Sequence, residues 1–159
     1  MMRLLLLIWK SLHLPKSVQL FLMRFMQDEF LVGVSGIIFN EKNEILLFQH
    51  TYRNQEWGLP GGYLKRREHP KEGLEREIKE ETNLVVAIDE RLKIRTDRDT
   101  ARLDITYAGT FIGGDFKPSK EVVAAKFFAF DELPRLPNHQ LMLLEKLLRK
   151  RESKRRFWM

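Results

Sequence analysis

The chain has 159 residues, 43% of them hydrophobic, and a formal net charge of +6. That suits one domain with a real core and leaves no easy room for a second. With no cysteine it excludes disulfides and thiolate metal sites, in keeping with a reducing cytoplasm, and His13, His50, His69 and His139 are too scattered for a zinc motif.

Residues 1–29 read as an N-terminal helical extension. The apolar run in MMRLLLLIW is cut off at Lys10, too early for a signal sequence or a membrane span. A second apolar patch, Leu20 to Met26, follows Pro15, so the segment is expected to form two helical pieces. They would pack on the domain or on a second subunit of a homodimer, the alternative being a membrane surface.

Phe30–Phe39 and Glu44–Gln49 are β-branched and aliphatic runs on either side of Asn40-Glu41-Lys42-Asn43, which predicts a hairpin. Trp57-Gly58-Leu59-Pro60-Gly61-Gly62 is expected to be a loop, its paired glycines letting backbone approach a ligand. Pro70 suits a first helical turn and Glu72 favours a helix N-terminus, predicting a helix over 70–82 capped by His69, a weaker cap than Ser or Thr. Strands follow at Leu84–Ile94 and Arg102–Ile112, joined by the charged stretch Arg95 to Thr100, and then at Glu121–Phe130. A last amphipathic helix is expected over 139–151. Strands on both sides of a helix, with another helix at the end, imply an α/β fold with a mixed sheet covered on both faces. Residues 150–159 form a basic tail, and the piece from Lys146 to Met159 holds seven basic residues against Glu152 alone. Such a run is a solvated helix end, or contacts RNA or anionic lipid.

The densest chemistry lies between Gly62 and Leu84. On a helix, Glu77 lies i,i+3 from Glu80 and i,i+4 from Glu81, so three carboxylates share a face, with Leu74 and Ile78 opposite. Such a cluster repels itself without a cation, and hard oxygen donors suit Mg²⁺ or Mn²⁺. Gly62, Glu68, Arg76, Glu77, Ile78, Glu80, Glu81 and Leu84 stand in the register of the Nudix box, which this segment resembles. Its polar and glycine positions would coincide by chance about once in 10⁵ chains of this size. Asn83 replaces the box glycine that ends the helix in a left-handed conformation, and Asn is the substitute of least cost there.

The resemblance implies an α/β/α sandwich over residues 30–149 and Mg²⁺-dependent hydrolysis of a diphosphate linkage in a nucleoside diphosphate joined to another group. It implies Glu80 and Glu81 as principal metal ligands, Glu77 as a third ligand or the base, and the Gly61 carbonyl as a further ligand. Glu68 would support the site and Arg76 would orient a carboxylate. Glu121 stands near the distance at which a glutamate outside the box completes the cluster in the MutT-like branch, or it is an exposed strand start. Trp57 either borders a nucleobase or plugs the core. Tyr52, Arg53 and the 95–102 stretch are candidate substrate contacts by position. The proline of the family's ADP-ribose hydrolases is absent, Asp99 and Thr100 standing at its place. The expected partner is a small nucleotide. The alternatives are a non-catalytic nucleotide-binding regulator and an RNA 5′-pyrophosphohydrolase that uses the basic tail.

Overall fold

In the computed structural model, the residues described are 15–26, 30–51 and 57–157. Contacts divide the chain into two units, Met1–Phe30 and Leu31–Met159. The first contains α1 (Lys16–Met26), which starts directly after Pro15 and exposes Leu20 and Phe21. No helix among the described residues is long and apolar enough to cross a membrane.

The second unit is built on strands whose alternate residues face opposite ways. In β1 (Leu31–Phe39), Val34 and Ile38 belong to one apolar cluster, while Ile37 and Phe39 belong to another. In β2 (Ile45–His50), Leu46 and Phe48 join the first cluster, and Ile45 and Leu47 the second. The first is covered by Leu74 and Ile78 of α2 (Pro70–Thr82) and the second by Leu144 of α3 (Asn138–Phe157). Both faces of the sheet are therefore apolar and both carry a helix, giving the expected α/β/α sandwich. Each of these fully buried Leu or Ile side chains is worth about 2–5 kcal/mol against truncation to Ala.

The sheet is mixed. β1 runs parallel to β6 (Arg102–Gly113) along its whole length, and β6 pairs antiparallel with β5 (Val85–Asp97). β2 pairs antiparallel with β7 (Val122–Phe128). The β1–β2 hairpin forms, with Phe39 opposite Ile45, and Asn40 builds its turn by accepting from the Lys42 and Glu44 amides. Away from that turn the two strands take other partners, and the 57–62 segment supplies them. It is not the loop its glycines suggest: β3 (Trp57–Gly58) pairs with β2 and β4 (Gly61–Tyr63) pairs with β1. Glycine is required here by closeness, because a Cβ on Gly61 would lie 2.3 Å from the Val34 carbonyl oxygen.

Other differences are at boundaries. Arg95, Thr96 and Asp97 extend β5 rather than join two strands, and α3 remains helical to Phe157, through most of the expected tail.

α2 has the expected bounds. His69 proves an adequate cap: its Nδ1 accepts from the Lys71 amide at 3.3 Å while Glu72 accepts from the His69 amide at 3.3 Å, a reciprocal capping box. At the other end Asn83 is left-handed, φ 61°, and its amide donates to the Lys79 carbonyl at 2.9 Å. Its side chain adds a bond that glycine could not make, Nδ2 donating to the Asp115 carbonyl at 3.0 Å. Asn83→Gly is therefore expected to change stability by no more than about 1 kcal/mol, the lost bond opposing the easier backbone. Asn83→Val should cost more than about 1 kcal/mol, because a β-branched residue is strained at that φ. Denaturant midpoints of the two variants check this, and equal midpoints would contradict it.

Candidate active site

α2 lifts its charged face toward β4, and Arg76 organises that face. Its Nε and Nη2 donate to the two Glu68 oxygens at 2.6 and 3.0 Å, a bidentate fork. Its Nη1 donates to Glu77 Oε1 at 2.7 Å and Glu80 Oε2 at 3.0 Å, and Nη2 also reaches the Tyr63 carbonyl at 3.2 Å. One guanidinium thus holds three carboxylates and ties the helix to β4. The Glu68 bond, followed by those to Glu77 and Glu80, raises the Arg76 pKa above its ordinary value against the cost of burial.

The same fork, with the Lys65 amide bond second, pulls the Glu68 carboxyl down to about 2. The Arg76 bond, helped by Lys65, likewise lowers that of Glu80. A carboxylate whose folded pKa is depressed contributes stability above its unfolded value, near 4.3, and loses it as pH falls through the folded value. The melting-temperature gap between the parent and Glu68→Gln is therefore expected to be constant above about pH 5 and to shrink steadily between about pH 4 and 2. Parallel melting curves across that range would contradict the assignment.

Glu77 is seated by the glycine before it in the box. A Cβ on Gly62 would lie 2.4 Å from the Glu77 carboxylate carbon, so only glycine lets that side chain, 17% exposed, rest on the strand. Glu77, Glu80 and Glu81 then line one cleft of about 920 Å³ together with Gly61, Gly62 and Glu121. Glu121 is thus brought in from the bend just before β7, its amide bonded to Ser119 Oγ at 3.2 Å. Glu68 and Arg76 stand behind this lining and do not form part of it.

Carboxylate oxygens such as those of Glu77, Glu80, Glu81 and Glu121 are the donors a hard divalent cation takes. Among the described residues, no three His, Cys, Asp or Glu side chains are arranged to hold a metal unaided. Mg²⁺ keeps several waters and takes only one or two carboxylates alongside substrate phosphates.

The other expected contacts fare differently. Trp57 packs edge-on against Phe128, ring centroids 5.0 Å apart, within the second core cluster, and does not line the cleft. Its ring is partly buried there, and Trp57 itself pairs with Gln49 of β2. Tyr52 and Arg53 lie outside the described residues. Arg95 and Arg102 do line the cleft, but from strands rather than from a loop.

Sequence reasoning missed Lys93, Asp104 and Thr106, which line the same wall. The signal was present: Arg102, Asp104 and Thr106 alternate with apolar residues, the period of one strand face. The start of α3 closes this side, Gln140 Oε1 accepting from the Leu59 amide at 3.0 Å.

The family model of the NUDIX domain matches residues 29–148. An ADP-ribose pyrophosphatase of Methanocaldococcus jannaschii is 34% identical over 111 residues, covering 66% of this chain and 65% of that protein. The chain therefore spans just under two thirds of that relative's length. Among solved structures, an ADP-ribose pyrophosphatase of Streptococcus suis is 29% identical, with a TM-score of 0.63, covering 76% of this chain and 93% of that one. A NUDIX hydrolase of Nitrosomonas europaea, at 23% identity, shares the fold with a TM-score of 0.71 over 80% of this chain and 74% of its own. The chain belongs to the Nudix family.

Proposed function

We propose that the protein hydrolyses the diphosphate linkage of a nucleoside diphosphate joined to a second group, with Mg²⁺, or Mn²⁺ in its place, and that residues 30–149 carry this activity. The observation that supports it best is the gathering of Glu77, Glu80 and Glu81 from one helix face, with Glu121 from just before β7, in one cleft. A diphosphate would be repelled by these four carboxylates alone. Bound Mg²⁺ would supply the positive charge that bridges carboxylates to phosphates and lowers the pKa of the attacking water.

Glu80 and Glu81 are the main ligands in this reading, the Gly61 carbonyl and Glu121 complete the site, and Glu77 is a third ligand or the base that takes the water's proton. Glu68 touches neither metal nor substrate. Through Arg76 it fixes where Glu77 and Glu80 point, so both are positioning residues.

The names of the relatives make ADP-ribose the first substrate to assay, while Asp99 and Thr100 in place of the subfamily proline call for a wider set. The test incubates the full chain with ADP-ribose, nucleotide sugars, nucleoside triphosphates, dinucleoside polyphosphates and triphosphorylated RNA. Each is run with Mg²⁺ and with excess chelator, and both products are identified. Mg²⁺-dependent cleavage within a diphosphate is the expected result. A folded protein that cleaves none of them would overturn the reading and leave a nucleotide-binding regulator.

A further inference from the structure

The wall of the cleft away from the glutamates contains a charged assembly that the hydrolytic reading does not use. Asp104 on β6 sits opposite Arg95 on β5 and beside Gly33 on β1. Its carboxylate lies over Gly33, where a Cβ would come within 2.7 Å of Oδ1. Two arginines converge on it: Arg95 Nη2 donates to Oδ2 at 3.2 Å, Arg102 Nη2 donates to the same oxygen at 3.1 Å, and Arg102 Nε lies 2.8 Å from Oδ1. Lys93 stands one step along the Arg95 face, opposite Thr106.

We propose that Arg95 and Arg102, held in place by Asp104, receive an anionic group that the substrate carries outside its scissile diphosphate. Three considerations lead there. The first is charge. Even with Asp97 3.8 Å from Arg95, the three cations Lys93, Arg95 and Arg102 outnumber the two carboxylates, so the wall is positive beside an open cleft. The second is geometry. A guanidinium has five donors in a fixed fork; Asp104 engages both arginines and the Tyr63 side chain also engages Arg102, which still leaves donors on both for a second planar or tetrahedral oxyanion. Their side chains, 35% and 29% exposed, are neither sealed in the core nor free in solvent.

The third is placement. Glu77 rests over Gly62, which pairs with Val34 on the face covered by α2, whereas Asp104 lies over the neighbouring Gly33 and so faces the other way, with Arg95 and Arg102. A diphosphate held at the Glu77 face leaves these guanidiniums to a separate anion. The anion belongs to the remainder of the substrate: a phosphate on the nucleoside or a carboxylate or phosphate on the group joined to it. These arginines would then set which nucleoside diphosphate derivatives the site prefers.

The assignment rests on the diphosphatase reading for the class of substrate, but its test includes binding, which needs no turnover. Two substrate pairs distinguish the sources of the anion: ADP-ribose 2′-phosphate against ADP-ribose, and UDP-glucuronate against UDP-glucose. Calorimetric affinities are measured with Mg²⁺ on the full-length Glu80→Gln protein, and kcat/KM on the parent. The charged member of at least one pair is expected to be favoured by about 10-fold or more in affinity. Adding Arg95→Gln or Arg102→Gln should bring that ratio below about 3-fold. Should either Gln variant fail to fold, Arg95→Lys and Arg102→Lys keep the charge on Asp104 but lose the fork, and should still reduce the ratio several-fold. Charge preference in binding without any hydrolysis by the parent would overturn the proposed activity and sustain this inference. Hydrolysis with no preference in either pair, or a preference untouched by all four substitutions, would overturn the inference and leave the activity standing.

Discussion

Glu80→Gln and Glu81→Gln are each expected to lower kcat by at least about 10²-fold on whichever diphosphate substrate the protein turns over. The amide keeps the size of the side chain and removes the negative charge that a hard cation needs. Both residues lie on the cleft side of α2, whereas the core is filled from its other face by Leu74 and Ile78. The fold should therefore survive, and far-ultraviolet circular dichroism with a cooperative melt would establish that it has. Raising Mg²⁺ should recover part of the loss if it arises from weakened metal affinity. Parent-like turnover in either folded variant would remove that residue from the ligand set.

Arg76→Met should be nearly as damaging to catalysis, for a different reason. Arg76 is not in the cleft, but its five hydrogen bonds set the directions of Glu77 and Glu80 and bind α2 to the Tyr63 carbonyl. Methionine matches the aliphatic stem and leaves three neighbouring carboxylates without their common cation. A kcat loss of about 10²-fold is expected from misplacement of the acidic side chains alone. The denaturation midpoint should also drop, and by more than that of Glu80→Gln, which loses only exposed pairs. Arg76→Lys should recover little activity, since one ammonium cannot hold Glu68 by a fork and reach Glu77 and Glu80 together. The Glu68 dependence of stability at low pH should weaken in both variants, most in Arg76→Met, the Lys65 amide bond remaining. Full activity with an unchanged midpoint would show that the carboxylates orient themselves without it.

Local order was legible in the residues because its causes are local. β-Branched and aliphatic runs marked β1 and β2, Pro70 and Glu72 marked the start of α2, and Asn83 marked its end. The box spacing placed Glu77, Glu80 and Glu81 on one helix face before any tertiary contact was known, since 3.6 residues per turn dictate it. The family resemblance carried the expectation further, to the layered fold and to Glu121.

What only the tertiary structure decided are the long-range pairings. β1 lies parallel to β6, about seventy residues on, Gly33 beside Asp104 and Ser35 beside Thr106. No local preference encodes which strands meet or in which register; burial of both apolar faces at once does. Pairing of β4 with β1 makes strand material of Gly61 and Gly62, pairing of β3 with β2 seats Trp57 beside the second core cluster, and pairing of β5 with β6 brings Lys93, Arg95 and Arg102 onto one wall of the cleft. The sequence by itself determined the acidic face of one helix, whereas the sheet determined what faces it across the cleft.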